Sequence, residues 1–339
     1  MDPLALLQEL VSIPGPPGQE GLVREAVAGH VSRLGYAHQS DVRGNLVVRL
    51  GSGKPRILVT AHMDEIAMIV RQVEPDGHLV VGALGGMFPW KLGEGPVLVM
   101  ASGGAVTGVL SFGSIHTEDP SSNVRRADGA SIDWSMTRVI TGLSAEELAM
   151  RGVRPGTRVV VHPSRRELVR MGELVGGYFL DDRADVVSWL LALEQLKGFE
   201  GEVIFAATAA EEVGGLGALW LMLQEPPEIC IALELGPAVP DAPIEISANP
   251  TVWVNDSYSA MQAADIDLVA DAGKRLGMDL QFQALSRGGS DASCAASRGF
   301  CARPITLGLA MENSHGFEIM HVDAMDRLAT LTAELVRSL

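Results

Sequence analysis

The sequence predicts an α/β fold: a mixed sheet flanked by helices, split in sequence by an inserted small all-β, barrel-like domain. Three observations carry that prediction. Apolar runs of strand length, such as VIFAATAA and ICIALEL, alternate with helical spacings toward both ends of the chain. The middle of the chain instead carries short β-branched runs separated by PDG, GEG, SGG and PG turns. Three of the apolar runs also end in metal-ligating side chains, and in open α/β sheets sites form at the carboxyl ends of strands.

Each element follows from a local pattern. From Pro3 to Leu34 apolar residues recur at helical spacing: Leu4, Leu7, Leu10 and Val11 precede a Gly/Pro-rich break, and Val23, Ala26, Val27 and Val31 follow it. Short β runs come next, at Asn45 to Leu50 and Arg56 to Thr60. Between Met68 and Phe179 the runs MIVRQV, HLVVGAL, PVLVMAS, AVTGVLS, TRVVVHP and LVGGYF read as strands of a small barrel or sandwich. One helix interrupts them, Ser144 to Met150, with Ser144 as cap and Glu147 at the capping-box position. Downstream, helices at Val186 to Leu196, Leu216 to Leu223, Asp265 to Leu276 and Ala324 to Leu339 alternate with strands at Glu202 to Ala210, Ile229 to Leu233 and Ile305 to Leu309. Strands that are apolar throughout are covered on both faces. The expected domains are 1–67 joined to 168–339, and an inserted β-rich domain over 68–167.

Composition narrows the function. The chain has 339 residues, 47% of them apolar and 20% charged, enough for a sizeable core and too apolar for disorder. Lys plus Arg total 26 against 42 Asp plus Glu, a net charge of −16 with no basic stripe. Such a chain repels a phosphate backbone, so no nucleic acid partner is expected. Solubility explains the acid excess, and attraction of cationic substrates or metals is compatible with it. Cys230, Cys294 and Cys301 are scattered without paired spacing, which suits free thiols in a reducing compartment. No apolar run reaches membrane-spanning length, and the N-terminus lacks the basic and apolar regions of a signal peptide. A cytoplasmic protein without a membrane partner is expected.

The chemistry sits at the strand ends. RILVTAHMDE ends with His62, Asp64 and Glu65; EVIFAATAAEE ends with Glu211 and Glu212; ICIALEL ends near Glu234. Singly each is weak. His62 could be a histidine in a turn, and Asp181 or Asp182 could cap a helix beginning near Ala184. Glu211 and Glu212 could lie in a solvated loop. Glu234, however, closes an apolar strand, and a buried carboxylate needs a partner that a metal would supply. Adjacent glutamates also suit metal-assisted hydrolysis, one as ligand and the other accepting the proton of the activated water. Asp291 could cap a helix starting near Ala292, or contact substrate near a free amine with Gly289 and Ser290.

The segments TAHMDE, LDDRAD, AAEEVGGLGA, ALELGPA, RGGSDASCAA and ENSHGFE occur in the order and rough spacing of the tetrahedral/glutamyl aminopeptidase family. The chain resembles these dinuclear metallo-aminopeptidases, some of which carry an endoglucanase label, over nearly its whole length. The resemblance implies a zinc-peptidase-like catalytic domain with an insertion used for dimer contacts and substrate access. It implies two divalent metal ions per subunit, zinc or cobalt, held by His62, Asp181, Glu212, Glu234 and His315. Asp181 would bridge the metals, with a cis peptide to Asp182, and His315 is preferred to His321 as the last ligand. Glu211 would be the general base acting on a metal-bridging water, and Asp64 would orient His62. Short peptides would be the substrates, and a homo-oligomer built on dimers, extending to a dodecamer, the assembly. Met87, Phe88 and Trp90 in the insertion are candidates for that contact or for core packing.

Position 234 is Glu where many such aminopeptidases carry Asp, and Arg287 and Ser290 also depart from the common pattern. A related amide hydrolase, acting as a deacylase or on small modified peptides, therefore stays open on the same site. A glycosidase using a carboxylate pair fits less well, because aromatic residues are only 5% of the chain. The intact six-residue constellation argues against a non-catalytic, metal-stabilised scaffold.

Overall fold

The computed structural model describes residues 1–51, 57–127 and 131–339. Arg56, the first residue of one expected strand, lies outside the described residues. Along the chain, helices α1 (Pro3–Ser12) and α2 (Gly21–Leu34) precede strands β1 (His38–Ser40), β2 (Leu46–Leu50) and β3 (Ile57–His62). Then come β4 (Ala67–Val73), β5 (Leu79–Leu84), α3 (Pro89–Leu92), β6 (Gly95–Val99), β7 (Val106–Ser111) and α4 (Asn123–Arg126). They are followed by β8 (Arg138–Ile140), α5 (Ala145–Met150), β9 (Arg158–Val161), β10 (Val169–Met171) and β11 (Leu174–Tyr178). The next elements are α6 (Leu180–Gln195), β12 (Val203–Thr208), α7 (Leu216–Gln224), β13 (Ile229–Pro237) and β14 (Thr251–Asn255). Last come α8 (Ala263–Arg275), β15 (Gln281–Ala284), α9 (Asp291–Ala296), β16 (Arg303–Glu312), β17 (Phe317–His321) and α10 (Ala324–Ser338).

The chain divides into two compact units. One comprises Met1–Glu65, Leu168–Ser314 and Glu318–Leu339; the other comprises Ile66–Glu167 with His315–Phe317.

In the first unit, among the described residues, an 11-stranded sheet runs β1-β2-β12-β3-β13-β16-β17-β11-β10, with β14 on β16 and β15 on β14. The central strands β12, β3, β13 and β16 are parallel, and β2 and β17 pair antiparallel to them. Residues alternate between two apolar layers. Ile57, Val59 and Ala61 join Val203, Phe205 and Ala207 under helices α1, α2, α6, α8 and α10. Leu58, Ile204, Ala206, Cys230 and Ala232 face the opposite way, under α7 and α9. This two-sided burial explains why the central strands are apolar at every position rather than at every second one. Trp189 of α6 is fully buried, meets Phe205 edge-on at 5.6 Å and donates its indole N–H to the Val59 carbonyl at 3.3 Å.

The second unit is a closed barrel of order β4-β5-β8-β7-β6-β9. Val97, Val99, Leu110, Val139, Val159 and Val161 fill it. The capping box of α5 is present in full, with Ser144 and Glu147 exchanging bonds. Met87 is buried, whereas Phe88 and Trp90 are 60% and 52% exposed and stack with centroids 6.0 Å apart.

Two details differ from expectation. The LVGGYF run, read as a barrel strand, supplies β11 to the large sheet instead. Val175 to Tyr178 are buried without alternation, which is the signature of a covered strand and not of a half-exposed barrel stave. The short strands β14 and β15 carry no strong period and escape the sequence pattern. Among the described residues, no helix is long and apolar enough to cross a membrane.

Trp189→Ala removes the largest buried side chain of the α6 layer. We expect it to lower unfolding free energy by about 3–5 kcal/mol. Trp220→Ala on the 37%-exposed position of α7 should cost far less. Urea denaturation of the two variants measures the difference.

Candidate metal centre

The parallel register brings the strand ends level. Thr208 of β12 lies opposite His62 of β3, and Ala232 of β13 lies opposite Thr60. Two residues further along each strand, Glu234 therefore stands beside His62 on the same face. The start of α6 faces the same edge, with non-helical backbone at Asp181 and Asp182 and a cis peptide between them.

These elements converge. Ligand atoms of His62, Asp181, Asp182 and Glu234 all lie within 4.8 Å of one another, and all four residues are buried. His62 Nε2 is 3.2 Å from Asp181 Oδ1. Carboxylate oxygens of Asp181 and Glu212 also approach within 4.8 Å. Asp182 does not cap its own helix; its Oδ2 accepts the backbone N–H of His62 at 2.7 Å. The residue at the head of α6, Phe179, makes no side-chain cap bond.

Asp64 does more than face the imidazole. His62 Nδ1 donates to the backbone carbonyl of Asp64 at 3.1 Å, and the nearer Asp64 carboxylate oxygen is 3.6 Å away. The two carboxylate oxygens accept the backbone N–H groups of Glu211 at 2.9 Å and Glu212 at 3.1 Å. Asn45 Oδ1 accepts from Ala209 N at 3.0 Å, and Glu20 Oε1 accepts from Ala210 N at 3.1 Å. Four successive N–H groups of the turn after β12 are thus held by side-chain oxygens. Ala210 sits at φ 56°, a left-handed conformation that needs such support. Gly217 has to be glycine, because a Cβ there would stand 2.3 Å from the Ala209 carbonyl and from Asn45 Oδ1. On the other side of the centre, Glu318 Oε2 accepts the backbone N–H of Asp181 at 3.0 Å.

Sequence reasoning missed Glu20, Asn45 and Glu318. Asn45 had a usable signal, a carboxamide directly before the apolar run LVV, and Glu318 closes the segment ENSHGFE; Glu20 had none.

The remaining candidates are placed as follows. Asp291 is 4% exposed, and its Oδ2 accepts from Thr208 Oγ1 at 2.6 Å. It is the first residue of α9, not its cap. The cap is Ser290, whose hydroxyl accepts from Ser293 N and bonds Thr306 Oγ1 at 2.7 Å. The Cβ of a side chain at Gly289 would meet the Tyr258 ring at 2.3 Å. His315 belongs to the barrel unit, has φ 60°, and turns Nδ1 onto the Gly86 carbonyl. A carbonyl only accepts, so Nδ1 carries the proton and Nε2 is the lone-pair nitrogen. His321 Nδ1 accepts from Asp323 N at 3.1 Å, at the start of α10. A separate group, Glu74, Asp76 and His78, occupies the β4–β5 turn, where Glu74 pairs with Arg138 at 2.8 Å.

The electrostatics describe acids crowded out of water. Burial pushes the carboxyls of Asp182, Glu211 and Glu234 well above the usual range, and neighbouring acids add to it. Burial raises Asp185 to about 7 and Asp291 to about 6. Burial alone would depress His62, but Asp182, Asp181 and Asp64 outweigh it and hold the imidazole well above its ordinary value. Asp182 Oδ1 and both Asp185 carboxylate oxygens are buried without a hydrogen bond. A set of oxygen donors and one imidazole, short of positive charge, fits a divalent cation.

The model of the M42 glutamyl aminopeptidase family matches residues 44–331. A putative aminopeptidase of Acetivibrio thermocellus is 28% identical over 297 residues, covering 86% of this chain and 84% of that protein. A lysyl aminopeptidase of Pyrococcus furiosus is 28% identical over 233 residues, covering 68% of this chain and 65% of that protein. Among solved structures, a Pyrococcus horikoshii TET1 peptidase, described as assembling into a tetrahedron or a large octahedral shell, superposes with a TM-score of 0.86. It is 26% identical and covers 98% of both chains.

Carboxyls held above their unfolded values stabilise the metal-free fold only while protonated. That contribution is complete below about pH 4. It fades as pH rises through about 6 for Asp291 and about 7 for Asp185. Metal-stripped protein is therefore expected to melt at a lower temperature at pH 8 than at pH 5, with a divalent cation reversing the loss. Calorimetry showing no dependence on pH or cation across that window would contradict a cation-holding cluster.

Proposed function

The chain belongs to the M42 glutamyl aminopeptidase family, and from that premise we propose that it is a dinuclear metal-dependent aminopeptidase removing N-terminal residues from short peptides. The observation that carries the proposal is the buried cluster of His62, Asp181, Asp182 and Glu234 at the strand ends. The Glu211–Glu212 turn is pinned beside it through Asp64.

On this reading His62, Asp181 and Glu234 would hold one divalent ion, and Asp181, Glu212 and His315 would hold the other. His315 enters on the sequence match and on its lone-pair Nε2. Zinc and cobalt both suit such donors. The bound ions would supply Lewis acidity toward the scissile carbonyl and toward an attacking water. Glu211 takes the water's proton and delivers it to the leaving amine. Burial, with the neighbouring acids Asp291, Glu212 and Asp64, raises its carboxyl, which suits a group that accepts a proton. Asp64 anchors the backbones of both Glu211 and Glu212. Asp291, set by Thr208 and by the Ser290 cap, stands with Gly289 on the side assigned to the substrate amine.

Glu234 keeps a related amide hydrolase as the second reading. A panel of free and N-acylated peptides separates them, and turnover of acylated substrates alone would reject the aminopeptidase. The barrel unit is assigned to contacts between copies in a homo-oligomer, supported by the exposed Phe88–Trp90 stack and by the shells that the TET1 peptidase forms. A cytoplasmic setting accords with three buried free cysteines.

Glu211→Gln keeps size and loses basicity. Turnover should fall by about 100- to 10,000-fold, the range of a lost general base, with both metal ions retained by elemental analysis. Dialysis against a chelator should abolish activity and added zinc or cobalt restore it, which a carboxylate-pair glycosidase would not show.

A further inference from the structure

The loop between α1 and α2, Ile13 to Glu20, crosses two of the strand ends that build the centre. The Gly15 carbonyl accepts the backbone N–H of Glu65, just beyond β3, at 3.1 Å. Glu20 Oε1 accepts the backbone N–H of Ala210, just beyond β12, at 3.1 Å. The same oxygen accepts from Gly18 N at 2.7 Å, which bends the loop over its own acid. Gly15 is packed so closely that a Cβ would lie 2.7 Å from Val23 Cγ2 and 2.8 Å from Arg183 Nη2.

Glu20 is an unusual residue to bury. It stands at the cap position of α2, where an acid ordinarily stays in solvent near the helix dipole. Instead its side chain makes no cap bond to its own helix, and the residue is 4% exposed. Burial, as the largest cause, pushes its carboxyl up. A carboxylate is placed there against that penalty for what it touches. Its Oε1 touches two N–H groups: that of Gly18 in its own loop at 2.7 Å and, across the fold at 3.1 Å, that of Ala210, the left-handed residue directly before Glu211.

We propose that Glu20 is a positioning residue for Glu211: by accepting the Ala210 N–H it fixes the left-handed turn that aims the general base. The effect needs an acceptor oxygen of the right reach and not the negative charge. The inference rests on the assignment of Glu211 as base. An error of about 1 Å in a reacting group can lower turnover about 100-fold, so a loosened turn acts on kcat more than on substrate binding.

The test compares Glu20→Ala, Glu20→Asp and Glu20→Gln with Glu211→Gln in the intact protein. The readouts are kcat and KM on an aminoacyl-nitroanilide, bound metal by elemental analysis, and melting temperature. Expected is a kcat lowered about 10- to 100-fold per metal-loaded site in Glu20→Ala and Glu20→Asp, with KM and metal content held. Glu20→Gln, whose amide oxygen still accepts, should return kcat to within about threefold of the parent, in line with the modest net worth of one hydrogen bond. Glu20→Asp keeps the charge but withdraws the oxygen, so the contrast survives if Glu20→Ala does not fold. A kcat per loaded site unchanged in Glu20→Asp overturns the proposal. So does a Glu20→Gln as impaired as Glu20→Asp. Full turnover in Glu211→Gln would remove the base itself, a failure distinct from an inactive Glu211→Gln beside a fully active Glu20→Asp.

Discussion

The carboxylate of Asp64 ties one strand end to the next, and the centre depends on that tie. β3 delivers His62 and β12 delivers Glu211 and Glu212, but a strand fixes only where its last residue stands. Beyond Thr208 the backbone leaves the sheet, and its N–H groups lose their ladder partners. Asp64 accepts two of them, from Glu211 and Glu212, while its backbone carbonyl holds His62 Nδ1. One residue thus fixes an imidazole and two glutamates relative to one another. Asn45 and Glu20 extend the same device one residue at a time toward the sheet.

This arrangement gives the buried acids a common use. Asp182 accepts from His62 N, Glu318 from Asp181 N, and Glu234 from Leu235 N at 2.9 Å. Backbone N–H dipoles pointing at carboxylates offset part of the burial penalty, because hydrogen bonds to the charged form favour it. They do not offset all of it. Asp185 is fully buried beside the Asp182 carboxyl, and burial still raises it to about 7. What the neutral donors leave uncompensated is net negative charge, and that remainder is what selects a cation over a neutral ligand. Affinity for metal and instability without it are two consequences of one imbalance.

Much of this was legible in the sequence because burial on both faces writes itself into composition. Strands β3, β12 and β13 are apolar throughout, and a polar residue that ends such a run stands out against it. His62, Glu211, Glu212 and Glu234 were visible for that reason. The supporting residues were not. Glu20 bonds a partner 190 positions away, Asn45 one 164 away and Glu318 one 137 away. No local period encodes such pairs, and an acid in a Gly/Pro loop looks like solvent-facing surface. Ser290 and Asp291 show the same limit at short range. Either can cap a helix, and only the placement of Thr208 and Thr306 decides that Ser290 caps while Asp291 turns toward Thr208.

Position 234 shows how far this logic reaches toward substrate. A glutamate differs from an aspartate by one methylene, so the donor atoms are the same and only their reach changes. Here the added length is taken up locally: Oε1 folds back onto the N–H of Leu235, one residue along the same strand. That bond returns the carboxylate to a position within 4.8 Å of His62 and Asp181 ligand atoms, where it shares their cluster. The longer side chain therefore need not shift the centre. On the proposed reading, discrimination between a free and an acylated amine rests on the groups assigned to the substrate, Asp291 foremost, and not on the ligands' chemistry. A carboxylate favours a cationic amine by attraction and rejects a neutral acyl amide by the penalty of leaving its own charge unpaired. The Oδ1 of Asp291, buried without a hydrogen bond, is the group to which the proposed aminopeptidase reading assigns the preference for a free N-terminus.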